Sequence, residues 1–167
     1  RQHHQFGIEA IGGGDPLIDA EVIQVGWTLL RELGLKFLSL VVNTIGDPAC
    51  RPGYLQRLRE YYQEHLDRTC QDCRRRYQRN PLRLLDCKQE SCQPFIAQAP
   101  RSADHLCGPC GDHWKALRGY LDELNIAYTV DHRLVRGLDY YTRTVFEIQL
   151  PEERGQSTII GGGRYDG

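Results

Sequence analysis

Three observations predict an α+β fold in which a sheet with flanking helices is interrupted by a small helical insertion. Residues 35–42 form a nearly continuous apolar run, suited to a strand covered on both sides. From Tyr141 onward the residues are β-branched or aromatic, which suits a pleated, half-buried surface. Between these segments the composition changes: six of the seven cysteines and many of the arginines fall between Arg51 and Gly111. The reading divides the chain into a first sheet part at 1–50, an insertion at 51–125 and a second sheet part at 126–167.

Each element follows from local pattern. Residues 1–11 alternate, with Arg1, His3, Gln5, Gly7 and Glu9 on one face, and are expected to form a strand. That face is either a ligand surface or a solvated sheet face. His3 and His4 read as strand-surface residues. Gly12-Gly13-Gly14 breaks the run, and Asp15-Pro16 starts a helix that Gly34 stops near Leu33. Asn43 to Pro48 supplies turn-forming residues after the apolar strand. Helices are expected over Tyr54–Leu66 and Cys70–Gln78, the latter ended by Pro81, which lacks a donor. Gln93 to Ser102 shows little periodicity and reads as a loop, and His113–Leu124 returns to helix. From Ile126 the chain re-enters β structure.

The run from Leu134 to Glu147 is the most informative. Arg136 precedes a glycine that permits a tight turn, and Tyr140 and Tyr141 stand side by side at the mouth of the strand. Such a group suits an anion and a polar ring together; the competing reading is a sheet rim with a surface arginine. Alternation puts Tyr141, Arg143, Val145 and Glu147 on one face and Tyr140, Thr142, Thr144 and Phe146 on the other.

Cysteine spacing points to metal. Cys70-x-x-Cys73 and Cys107-x-x-Cys110 are paired thiolates of the kind that hold zinc, with Cys87 and Cys92 between them as competing partners. The expected site is one structural zinc on Cys70, Cys73, Cys107 and Cys110. The alternative is reduced thiols packed as small hydrophobes. Arg74, Arg75, Arg76, Arg79 and Arg83 are dense enough to engage phosphates, or else form a solvated helix face balanced by nearby acids. The 167 residues, 40% hydrophobic, suffice for one core and a small second module. The net charge of −1 selects no partner, and no apolar stretch reaches the length of a membrane span. The absence of methionine suggests a piece of a longer protein.

The wording of Arg136-Gly137-Leu138-Asp139-Tyr140-Tyr141 resembles the signature of histidyl-tRNA synthetases. Gly161-Gly162-Gly163-Arg164-Tyr165-Asp166-Gly167 resembles that family's other histidine-specific motif, and Arg1 to Glu9 resembles the end of the class II motif 2 loop and the strand after it. The resemblance implies a class II synthetase-like antiparallel sheet with an insertion that touches the acceptor end of tRNA. It implies ATP as substrate with Mg, histidine and tRNA as partners, a homodimeric parent and a cytoplasmic location. Gln5 would hold the amino group of histidine, and Glu9 and Tyr141 its imidazole, with Tyr140 beside them. Arg136 would act on the carboxylate and α-phosphate as the catalytic residue. Tyr165 and the three glycines would floor the pocket. Other conserved parts of the family would lie outside this stretch, which is therefore expected to be inactive alone. Two alternatives remain. One is a non-catalytic paralogue such as the regulatory subunit of ATP phosphoribosyltransferase; the other is a free-standing zinc and RNA-binding module.

Overall fold

A computed structural model describes residues 2, 4–136, 140–151 and 158–166. Helix α1 (Pro16–Glu32) begins as its sequence dictates: the Asp15 carboxylate accepts from the Leu17 N–H at 2.8 Å, and Pro16 sits where no donor is needed. It ends in a Schellman turn. Gly34 takes a left-handed φ of 84°, the Leu35 N–H reaches the Leu30 carbonyl, and the Gly34 N–H reaches that of Arg31. Strand β1 (Ser39–Thr44) follows. It begins four residues later than the apolar run suggests, because Phe37 adopts a φ of 59° and lies exposed instead of entering the sheet.

The middle of the chain is helical. Helices α2 (Arg51–Gln63), α3 (Gln71–Arg79) and α4 (Gln93–Gln98) are joined by short 3-10 turns, and α5 (Gly108–Glu123) runs back along the sheet. The segment expected as a loop at 93–102 thus contains a helix; Pro94 opens it, and Phe95 and Ile96 anchor it in the core. The turn is too short to show a helical period. Asn125, with a φ of 54°, closes α5 in the same way that Gly34 closes α1.

Strands β2 (Tyr128–Val130), β3 (Tyr141–Gln149) and β4 (Thr158–Tyr165) complete a four-stranded sheet of order β2-β1-β3-β4. β3 is antiparallel to both neighbours, but β2 pairs with β1 in parallel, so the sheet is mixed. β1 and β3 are central, which accounts for their burial on both faces. One face packs against α1 and α5 through Ile23, Leu40, Leu117, Leu121, Phe146 and Ile148. The other packs against α2, α3 and α4 through Leu58, Tyr62, Ile96, Tyr141 and Val145. Helix α5, grouped by composition with the insertion, therefore shares the core of the sheet. Among the described residues no helix is long and apolar enough to cross a membrane.

The expected strand at the N-terminus does not form. Gln2 and residues 4–11 have no regular structure, while Arg1 and His3 lie outside the described residues. A strand needs a neighbour for its backbone groups, and no described strand pairs with this segment. Its alternate face, Phe6 and Ile8, stays exposed.

Candidate active site and cysteine centres

Alternation along β3 and β4 sorts the site residues. Tyr141 pairs with Tyr165, Val145 with Gly163, and Glu147 with Gly161, so these residues share one face. Arg143 and Thr144 have no partner on β4, and Arg143 takes a φ of 53°. This bulge adds two residues and preserves the face parity on either side of it. It removes Arg143 from the row and turns it to Asp47, 3.2 Å away.

The three glycines of β4 make room for side chains of β3 and its leading loop. A Cβ at Gly161 would stand 2.7 Å from the Arg136 guanidinium; at Gly162, 2.6 Å from the Phe146 ring; at Gly163, 2.9 Å from the Tyr141 ring and the Thr144 carbonyl. The resemblance implied that these glycines floor a ligand pocket; the space a Cβ would take at each of them is held by protein side chains. Arg136, Tyr141 and Tyr165 thus follow one another along the face of Gly161 and Gly163. Tyr140 stacks edge-on to both tyrosines, at 5.2 Å from Tyr141 and 5.8 Å from Tyr165.

Glu9, exposed in the N-terminal segment, comes near the Tyr165 end of this row, and its carboxylate holds the Tyr165 phenol above the usual range. Burial pushes the Tyr141 phenol up, the Tyr140 and Glu9 charges add to this, and Arg136 opposes it. Glu9 and Tyr165 line a cavity of about 380 Å³ that continues over Val22 and Phe146 to Arg164. Arg136 lines a second cavity, of about 230 Å³, with Arg51, Arg59, Arg79 and Pro81. Gln5 is exposed in the N-terminal segment and lines neither cavity. Gly137, Leu138, Asp139 and Gly167 lie outside the described residues.

Two carboxylates matter that residue-by-residue reading left without a role. Glu147 accepts from Arg136 Nη1 at 2.6 Å, Thr158 Oγ1 at 2.7 Å and Gln149 Nε2 at 2.9 Å. Burial alone would raise its carboxyl, but these bonds outweigh it and hold the group below the usual range. Its position on the Tyr141 face was the available signal. The loop carrying Arg136 is itself pinned. Buried Asn43 donates to the Leu134 carbonyl at 3.0 Å, and the His132 ring lies 2.9 Å from the Ile96 carbonyl.

On the opposite face Asp19 of α1 meets Arg164 at 2.8 Å and His113 of α5 at 2.8 Å, and Thr144 donates to the same carboxylate. Burial would raise Asp19, yet hydrogen bonds from His113, Arg164 and Thr144 bring it below the ordinary carboxylate range. Arg164 also donates to the carbonyls of Gly13 and Asp15, so every side of the guanidinium is engaged. The partners are 94 and 145 residues from Asp19, and no local pattern brings them together.

The cysteines fall into two groups. Cys70, Cys73, Cys87 and Cys92 form one; Cys50, Cys107 and Cys110 form the other together with Asp47. This corrects the expected ligand set: the two CxxC pairs do not share a site. Each pair spans the start of a different helix, Cys70 ahead of α3 and Cys107 ahead of α5, and the two helices pack on opposite faces of the sheet. All seven are unbridged. Hydrogen bonding from Cys110, then from the Ala49 N–H and Arg143, outweighs burial and holds the Asp47 carboxyl down to about 2.

The α+β fold, with helices on both faces of a mixed sheet, is that of an aminoacyl-tRNA synthetase of known structure. The crystal structure of apo S. aureus histidyl-tRNA synthetase matches 95% of this chain with a TM-score of 0.71 and 38% identity, covering 38% of that chain. A profile of the histidyl-tRNA synthetases matches residues 1–167, and the chain belongs to that family. The histidine–tRNA ligase of Desulforamulus reducens is 51% identical and that of Dehalococcoides mccartyi 53% identical over the whole chain, which spans 40% of each of those proteins.

Proposed function

We propose that this chain serves the ATP-dependent ligation of histidine to its tRNA, as part of a cytoplasmic, homodimeric class II enzyme. The carboxylate of histidine attacks the α-phosphorus of ATP, which is bound with Mg. The bond to the β-phosphate breaks and pyrophosphate leaves. The terminal ribose hydroxyl of the tRNA then attacks the activated carbonyl and AMP departs. The observation that carries this reading is the row Tyr165, Tyr141 and Arg136 on one sheet face, with Tyr140 beside it and Glu9 near its Tyr165 end, in a chain of this family.

A carboxylate and phenols fix both nitrogens of an imidazole, so Glu9, Tyr141 and Tyr140 take the histidine ring, with Gln5 on its amino group and Tyr165 orienting Glu9. Arg136 meets the carboxylate and the developing charge on the α-phosphate. Glu147 holds its guanidinium until an anion arrives. Catalysis here is chiefly positioning and charge stabilisation. The exposed arginines of α3, Arg74, Arg75 and Arg79, suit the acceptor end of tRNA. A free-standing zinc and RNA module finds no support, because α2, α3 and α4 share their core with β1 and β3.

The experiment is histidine-dependent pyrophosphate exchange in a full-length synthetase carrying these residues. Glu9→Ala is expected to lose about four orders of magnitude, because a site that selects a polar ring by hydrogen bonding loses the partner of one ring nitrogen, with an unchanged unfolding midpoint. Exchange within tenfold of the parent contradicts the assignment of Glu9.

A further inference from the structure

The seven cysteines sit in two separate tetrads of ligand atoms, and each tetrad has the dimensions of a tetrahedral metal site. In both, all four atoms lie within 4.8 Å of one another. A zinc–sulfur bond of about 2.3 Å sets an edge of about 3.8 Å between two thiolates of a tetrahedron, and a carboxylate–thiolate edge of about 3.5 Å. In the first group Cys70 and Cys87 stand 3.7 Å apart, and Cys73 and Cys92 3.8 Å. In the second, Asp47 Oδ1 lies 3.7 Å from Cys50 and 4.0 Å from Cys107.

A backbone donor is aimed into the first group. The Cys70 N–H lies 3.3 Å from the Cys92 sulfur. Such donors orient metal thiolates and offset their charge. Packing of cysteine as a small hydrophobe does not account for the second group, where a carboxylate stands among three thiols. The surroundings there are also specific. Arg143, held in its left-handed bulge, donates to Asp47 at 3.2 Å and supplies a positive charge beside an anionic set. Gly46, with a φ of 66°, leaves space that a Cβ would take at 2.8 Å from the Cys50 sulfur.

We propose that this chain binds two structural zinc ions, one on Cys70, Cys73, Cys87 and Cys92 and a second on Asp47, Cys50, Cys107 and Cys110. Three thiolates and one carboxylate, like four thiolates, close the coordination sphere, so neither ion takes part in chemistry. The first ion holds α3 to the turns at 84–92 inside the insertion. The second fastens the start of α5 to the β1–α2 turn and, through Arg143, to the bulge of β3. It therefore joins the end of the insertion to the sheet two residues from Tyr141.

Elemental analysis of the 167-residue chain, produced in zinc-supplemented medium, is expected to give two zinc ions per chain. Cys87→Ser and Cys50→Ser should each reduce this to one, and replacing zinc by cobalt in Cys50→Ser should lower the thiolate-to-metal charge-transfer band from seven thiolates to four. A single ion unaffected by Cys50→Ser overturns the second site; no ion overturns both. Because a variant can fail to fold, alkylation of the unmodified chain gives an independent reading. Cys50 and Cys107, both partly accessible, should resist alkylation until a chelator is added. Equal labelling with and without chelator overturns the second site.

Discussion

Two arginine–carboxylate pairs lie on opposite faces of the same two strands, and their surroundings give them different work. Arg164 and Asp19 have side chains only 4% and 8% exposed, and carbonyls, a histidine and a threonine saturate both partners. Arg136 and Glu147 are 30% and 15% exposed, and the Arg136 side opens into a cavity lined by further arginines. A buried pair with every donor used has nothing to offer a ligand, and breaking it leaves an uncompensated charge. A half-open pair can exchange its carboxylate for an anionic substrate. Adjacent residues differ in the same way: the Arg164 side chain is buried against Asp19 of α1, while Tyr165 lies exposed beside Tyr140.

That contrast can be broken from the structural side first. Arg164→Ala should destabilise the protein by about 3–5 kcal/mol, because Asp19 is left buried without its cation; chemical denaturation measures it, and a loss below about 1 kcal/mol would remove the distinction. Asp19→Asn should cost less, about 2 kcal/mol at neutral pH, since an amide still accepts a hydrogen bond. The folded-state carboxyl of Asp19 is depressed, so its contribution is fully present above the ordinary carboxylate value and is lost as pH falls through the depressed one. The stability gap between the parent and Asp19→Asn should therefore be constant near neutrality and narrow below about pH 4. A gap that widens on acidification would reverse the assignment. Glu147→Gln should have the smallest effect on folding, under about 1 kcal/mol by the same denaturation, while lowering exchange about tenfold through a less well-placed guanidinium.

The same division explains what was legible in the sequence. Local chemistry was readable: Asp15-Pro16 and Gly34 bound α1 almost to the residue, Pro81 follows the end of α3, and alternation put Tyr141, Val145 and Glu147 on one face. The motifs named the family before any coordinates. What escaped depends on distant partners. The N-terminal segment alternates like a strand but has no neighbour to pair with among the described residues. The bulge at Arg143 is set by Asp47 and by backbone bonds to Ile45 and Gly46. CxxC spacing singled out two cysteine pairs yet could not say which other residues meet them, since Cys50 and Asp47 reach Cys107 only through the packing of α5 on the sheet. The cluster of Asp19, His113 and Arg164 is assembled from three elements with no shared pattern.

The division of labour between the two arginines is tested most directly by Arg136→Ala in a full-length synthetase, with pyrophosphate exchange and the denaturation midpoint measured on the same preparation. Exchange should fall by about two to three orders of magnitude, as for the loss of a preorganised charge partner, while the midpoint stays near that of the parent. Exchange within tenfold of the parent, or a loss that tracks unfolding, would contradict the account.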